Sequence, residues 1–222
     1  MTSLTAATRQ AYERWAPLYP PEPHNPLMRA EQRAMLQHSP NVAGRRVLDL
    51  ACGSGRYSIL LEQARAEQVV ALDFCAPMLR QVSAAARVCA GMMQLPFADQ
   101  AFDAVVSGLA LGHAANVREW MIEVARVLKP GGTLLYSDFH PEAAAAGLPR
   151  SFKDRNNNAW VVPHYRHDLL SQREAAAAAH LAIDVVHEIR VGFELRESFA
   201  NSDGFYRQWH GLPLVLIVRA QK

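Results

Sequence analysis

Hydrophobic positions change period several times along this chain. Tyr12, Trp15, Ala16 and Tyr19 share one face of a short helix. Pro17 falls inside that pattern, which predicts that the helix ends near Ala16 and leaves Tyr19 on a loop. Asn25-Pro26 reads as the cap and first turn of a second helix carrying Met28, Met35 and Leu36. Six of the thirteen prolines lie between Pro17 and Pro40, so residues 1–44 read as a helical cap on the domain that begins at Arg45.

From Arg45 onward, buried strands alternate with helices. Apolar runs at 47–51, 69–72, 88–90, 102–107 and 133–137 fit strands of a parallel sheet. Helices are expected through Ile59–Leu61, from Pro77, and over Val117, Trp120, Met121, Val124 and Leu128, the last stopped by Pro130-Gly131-Gly132. This alternation predicts a doubly wound α/β sheet, with its ligand crevice at the carboxyl ends of the strands. The tail departs from the rule. An alanine-rich helix over 169–179 precedes strands at 183–191 and 212–218. No helical period separates those two strands, so they are expected to pair antiparallel across a loop of about twenty residues, unusually long for a compact domain.

The candidate chemistry sits at two strand ends. Val47-Leu48-Asp49-Leu50-Ala51-Cys52-Gly53-Ser54-Gly55 runs from a strand through a small-residue turn into a helix, where backbone amides can face a ligand. Eighteen residues past Gly55, Asp73 ends the second strand, where a carboxylate can accept both hydroxyls of a ribose. These two features alone fit a dinucleotide site as well as other nucleoside sites, and Asp73 could also serve only as a helix cap.

Taken in order, four segments resemble the class I S-adenosylmethionine (SAM)-dependent methyltransferases: VLDLACGSGRYS, VVALDFCAPML, QLPFADQAFDAVVSGLALGH and REWMIEVARVLKPGGTLLYSDFHP. The resemblance covers residues 45–140 closely and the tail in pattern. It implies a Rossmann-like sheet of strand order 3-2-1-4-5-7-6 with strand 7 antiparallel. It also implies that Asp49, Ala51, Cys52, Gly53 and Gly55 surround the methionine end of SAM, and that Asp73 binds the ribose. Phe74 and Met78 would flank the adenosine, Met92 and Met93 the adenine, and Ser107 and Gly108 would lie under the sulfonium. Two positions depart from the family pattern. Ala51 replaces the first glycine of the turn, and Gly91 stands where an acid often meets the adenine amino group.

A donor that is already activated leaves orientation as the main task. Tyr12, Trp15 and Tyr19 are candidates for holding a cation, and Tyr19 is the strongest because it sits on the loop. If the acceptor must lose a proton, His140 and then His113 are candidate bases, since they follow the fifth and fourth strands. Residues 141–167 interrupt the fold and would roof an acceptor pocket on the domain at 45–222. Arg150, Lys153, Arg155 and Arg166 in that stretch raise an anionic acceptor against a merely solvated loop. His164-x-x-His167 lacks partnering ligands, so no metal is expected.

Composition narrows the partners. A net charge of +2 and no basic stripe argue against a nucleic-acid binder, and no apolar run would span a bilayer. The absence of an apolar segment near the start and three cysteines without a pairing pattern lead to the expectation of a reduced, cytoplasmic protein. The leading expectation is methyl transfer to a small-molecule or carrier-bound acceptor. A nicotinamide-dependent oxidoreductase and a non-catalytic SAM-binding module are the alternatives.

Overall fold

A computed structural model describes residues 4–83, 86–154, 156–192, 195 and 202–222. Its centre is a seven-stranded sheet. The strands are β1 (Arg46–Leu50), β2 (Gln68–Asp73), β3 (Ala86–Cys89), β4 (Phe102–Ser107), β5 (Leu128–Phe139), β8 (Ala182–Arg190) and β9 (Pro213–Gln221). They lie in the order β3-β2-β1-β4-β5-β9-β8. The first five pair in parallel, and β9 runs antiparallel to both its neighbours. In chain order β8 and β9 are the sixth and seventh strands of the sheet, so this is the 3-2-1-4-5-7-6 order expected. The central strands are buried on both faces, which is why they read as unbroken apolar runs.

Helices α3 (Arg56–Gln63), α4 (Ala76–Leu79), α5 (Val117–Val127) and α7 (Leu169–Ala178) flank the sheet. Asn116 caps α5, its side chain accepting from the amides of Arg118 and Glu119. Trp120, Met121 and Val124 of that helix are fully buried, and the Trp120 ring meets Tyr136 edge-on at 5.4 Å. In the N-terminal segment, α1 (Leu4–Trp15) runs into a 3-10 turn, and α2 (Pro26–Gln37) is capped by Asn25 as expected.

Three features differ from the sequence expectation. The stop at Pro130-Gly131-Gly132 lies inside β5, which starts directly after α5 and absorbs the interruption as a register shift opposite Phe102 and Ala104. The long connection before β9 contains a helix, α8 (Ser202–Trp209). Its Phe205, Tyr206 and Trp209 pack on the core, while Gly204 and His210-Gly211 masked its period in the sequence. The stretch 141–167 is not bare loop: it holds α6 (Pro141–Ala145) and a small hairpin of β6 (Ser151–Lys153) and β7 (Ala159–Val161).

That hairpin and α1 meet over the carboxyl edge of the sheet. Trp15 stacks on Phe152 at 4.5 Å, Arg14 lies 4.2 Å over Trp160, and Thr8 donates to the Pro163 carbonyl. Beneath them, α2 is tied to the sheet by a buried carboxylate. Glu31 accepts from Tyr57 Oη at 2.7 Å and Ser137 Oγ at 2.6 Å, and pairs with Arg56 at 2.7 Å. Among the described residues, no helix is long and apolar enough to cross a membrane.

Candidate functional site

The turn after β1 is built from left-handed backbone. Ala51, Gly53 and Gly55 all have positive φ, at 57°, 57° and 91°. The turn is pinned to the neighbouring strand. Cys52 N donates to the Leu72 carbonyl and Gly53 N to Asp73 Oδ2, at 2.9 and 2.8 Å. Asp73 Oδ1 accepts from Cys75 N at 2.8 Å, so two amides hold this carboxylate at the end of β2. Burial pushes Asp73 up to about 6, against the opposing pull of the Cys75 and Gly53 amides. Asp49 lies one step deeper. Its Oδ2 accepts from Ser58 Oγ at 2.6 Å, while Oδ1 is buried without a partner. Desolvation lifts Asp49 to about 7, with the Ser58 hydrogen bonds opposing.

Both carboxylates line one cavity. Ala51, Cys52 and Gly53 form one wall, and Phe74, Met78, Met92 and Met93 another. Gly91 opens this second wall, where an added Cβ would meet nothing within 4 Å. Gly108 forms the floor. A Cβ there would come within 2.2 Å of the Tyr57 ring, and Tyr57 is fixed by its bond to Glu31, so only glycine fits. Arg56 lines the same cavity while paired to Glu31, an arrangement that had no signal in local sequence.

At the far end stand Tyr12, His113 and Arg150. Arg150 Nη2 donates to Tyr12 Oη at 3.1 Å and to the Leu109 carbonyl. Tyr12 Oη lies 3.0 Å from His113 Nε2. Since the phenol oxygen accepts from Arg150, its own hydrogen is free to point at the imidazole. His113 is held well below its ordinary pKa, first by burial and then by the charges of Arg150 and His164, so it stays neutral. Arg150 Nη1 makes no hydrogen bond and lies 3.9 Å from Asp138 Oδ1, which burial raises to about 6 despite Arg150. Leu109, beside them, adopts φ 55°, a strained conformation for leucine.

Of the residues singled out from sequence, Asp49, Ala51, Cys52, Gly53, Asp73, Phe74, Met78, Met92, Met93, Gly108, His113 and Tyr19 line this cavity. Gly55, Ser107 and His140 do not. Gly55 starts α3 and packs against Val82, and Ser107 Oγ is fully buried, donating to the Leu50 carbonyl. His140 is 4% exposed; its Nδ1 accepts from Glu142 N to cap α6, and its Nε2 faces Glu188 at 3.5 Å. The first-choice base from sequence, His140, thus has both ring nitrogens engaged away from the cavity. Trp15 turns to Phe152 and Tyr19 rather than into this cavity. Of the four basic residues at 150–166, Arg150 alone lines it; Lys153 and Arg166 are exposed, and Arg155 lies outside the described residues. His164 Nδ1 and His167 Nε2 face separate backbone carbonyls, those of Val162 and Ala114. Among the described residues no cluster of three or more His, Cys, Asp or Glu is placed to hold a metal.

Residues 48–136 match a family profile described as a methyltransferase domain. The chain is 30% identical over 211 residues to a 2-phytyl-1,4-naphtoquinone methyltransferase of Synechococcus elongatus, covering 87% of each chain. It is 40% identical over 115 residues to a demethylmenaquinone methyltransferase of Corynebacterium urealyticum, which covers 51% of this chain and 48% of that one. A SAM-dependent methyltransferase structure from Mesorhizobium loti superposes with a TM-score of 0.70 at 22% identity, covering 87% of this chain and 98% of that chain.

Proposed function

The chain belongs to the class I SAM-dependent methyltransferase family, and we propose that it transfers the methyl group to a small apolar acceptor, with His113 and Tyr12 receiving a proton where the acceptor carries one. The observation that carries the cofactor placement is Asp49 Oδ1, a buried and partnerless carboxylate oxygen on the cavity wall. A partnerless buried oxygen is costly unless a ligand satisfies it, and an ammonium is the natural complement. Asp73 supports the same reading, because two amides fix its oxygens while leaving lone pairs that can accept from vicinal hydroxyls. The apolar wall of Phe74, Met78, Met92 and Met93 suits a flat heteroaromatic ring. Gly91 leaves adenine without the side-chain acid common in the family, so backbone groups and sulfur contacts would hold it.

The bound SAM supplies a sulfonium methyl that needs no further activation. The protein's work is orientation and proton removal. Gly108 keeps the floor flat beneath the ring of Tyr57. Tyr19 and Tyr12 bring oxygen and ring faces to the cavity from the cap. Neutral His113 accepts a proton directly or through the Tyr12 hydroxyl, and the Arg150 guanidinium stabilises negative charge that develops on Tyr12 or on the acceptor. The relatives named for quinone acceptors, together with a buried cavity end, favour an apolar acceptor.

Calorimetry tests the placement. S-adenosylhomocysteine should bind the wild-type protein, bind at least tenfold more weakly to Asp73→Ala, and leave NAD without measurable heat. Labelled SAM incubated with a metabolite extract should then yield a labelled small molecule. Tight NAD binding at this cavity, or no labelled product from extracts that support other methyltransferases, would overturn the proposal.

A further inference from the structure

Beside the cofactor cavity lies a second chamber, open to solvent on one side, which shares Tyr19, Leu109 and Arg150 with it. Its described walls come from three segments outside the alternating strands and helices. The cap contributes Trp15, Leu27 and Met28, the stretch after α6 contributes Leu148, and α8 contributes Phe205. Phe139 and Leu214 close it from the sheet. Polar groups are few. Asn25 is committed to capping α2, whereas Arg150 stands at the junction, its Nη1 buried and without a hydrogen bond, with the Asp138 carboxylate 3.9 Å away. An apolar chamber with a guanidinium at its mouth, one nitrogen of which lacks a hydrogen bond, has a definite complement: an apolar body ending in an oxygen that is negative or readily becomes so. The strained backbone of Leu109 lies at the same junction, where the two spaces meet.

We infer that this second chamber holds the acceptor, and that the acceptor is an apolar molecule with one acidic oxygen received by Arg150. The inference rests on the methyltransferase reading for the neighbouring cavity but concerns separate walls. A phenolic ring and a fatty carboxylate share this chemistry, and the probes below distinguish them.

The test is calorimetry on protein saturated with S-adenosylhomocysteine, titrated with 2-naphthol, decanoate and the uncharged control 1-decanol. Both acidic probes should bind, and decanoate at least about tenfold more tightly than 1-decanol, as a charge-assisted hydrogen bond to a buried guanidinium implies. The tighter of 2-naphthol and decanoate identifies which source the chamber prefers. Arg150→Met should erase the preference for decanoate over 1-decanol. Leu148→Trp, which fills the chamber from a loop, should abolish binding of all three probes while S-adenosylhomocysteine affinity stays within about threefold. Probes that compete with S-adenosylhomocysteine, bind Leu148→Trp unchanged, or keep the decanoate preference in Arg150→Met would overturn the inference. Failure of S-adenosylhomocysteine to bind the wild type is a different result: it removes the cofactor reading, and the same probes on ligand-free protein still report on the chamber.

Discussion

Asp49 gives the sharpest quantitative test, because its ionisation and its ligand are coupled. Burial lifts its carboxyl to about 7. If the ionised form receives the ammonium of the cofactor's amino-acid end, only the fraction of protein with Asp49 charged is competent. That fraction is about one-tenth at pH 6 and about nine-tenths at pH 8, so the apparent affinity for S-adenosylhomocysteine should rise about tenfold across the window, or about 1.4 kcal/mol. At pH 7, binding should release about half a proton, read as a buffer-dependent enthalpy in calorimetry. The analogue 5′-methylthioadenosine keeps the ribose and lacks the amino-acid end. It should lose the rise between pH 6 and 8 and keep only the weaker dependence near pH 6 that comes from Asp73. Asp49→Asn should flatten the profile for S-adenosylhomocysteine in the same way. The unliganded protein should respond with the opposite preference. A folded-state pKa above the ordinary 3.8 means the native protein holds this proton more tightly, so stability falls as pH rises from about 4 to about 7 and then levels. Asp49→Asn should therefore melt higher than wild type at pH 8, by an amount on the order of a few kcal/mol, and by less at pH 5. Equal pH slopes for the two ligands, or no stabilisation by Asp49→Asn at pH 8, would refute the coupling.

Three further outcomes are expected. Ala51→Gly should be neutral or stabilise by up to about 1 kcal/mol in chemical denaturation, since left-handed φ costs alanine about 1–2 kcal/mol and glycine gives back about 0.5–1 in unfolded-chain entropy; a loss beyond about 1 kcal/mol would mean the turn is not as described. Glu31→Gln should cost about 3 kcal/mol of stability, because it strands the buried Arg56 cation, and it should weaken S-adenosylhomocysteine binding through the cavity wall; a loss under about 1 kcal/mol would show that Arg56 finds another partner. His113→Gln should lower kcat by about 10²-fold or more on an acceptor that loses a proton, while His140→Gln leaves kcat unchanged; a larger effect at His140 would reverse the assignment.

The readable part of this protein is the part whose interactions are local. The β1–turn–α3 unit and the end of β2 declare themselves through a strand period, a small-residue turn and one acid, all within a short stretch of chain. The residues that complete the cavity do not. Glu31 lies on a helix of the cap, yet its carboxylate is bound by Tyr57 on α3 and Ser137 on β5, and no periodicity links those positions. Arg56 reads in sequence as an ordinary first-turn arginine and is in fact buried. Leu109 carries a left-handed backbone that only glycine would have advertised.

The two histidines show why position after a strand is not enough. His113 and His140 each follow a parallel strand, and the sequence puts His140 first. Strand order separates them. β4 pairs directly with β1, so the chain leaving β4 passes the glycine turn, and the 3-10 turn over Leu111–His113 turns the imidazole toward Tyr12. β5 is one strand farther out and pairs with β9 on its other edge. The amide of His140 is consumed by the Leu214 carbonyl near the start of β9, and its ring caps α6 and faces Glu188 on β8. A register set by the antiparallel strand thus carries His140 away from the crevice. That register depends on residues far downstream in the chain, which is why the position of His140 relative to the crevice could not be read before the whole sheet was assembled.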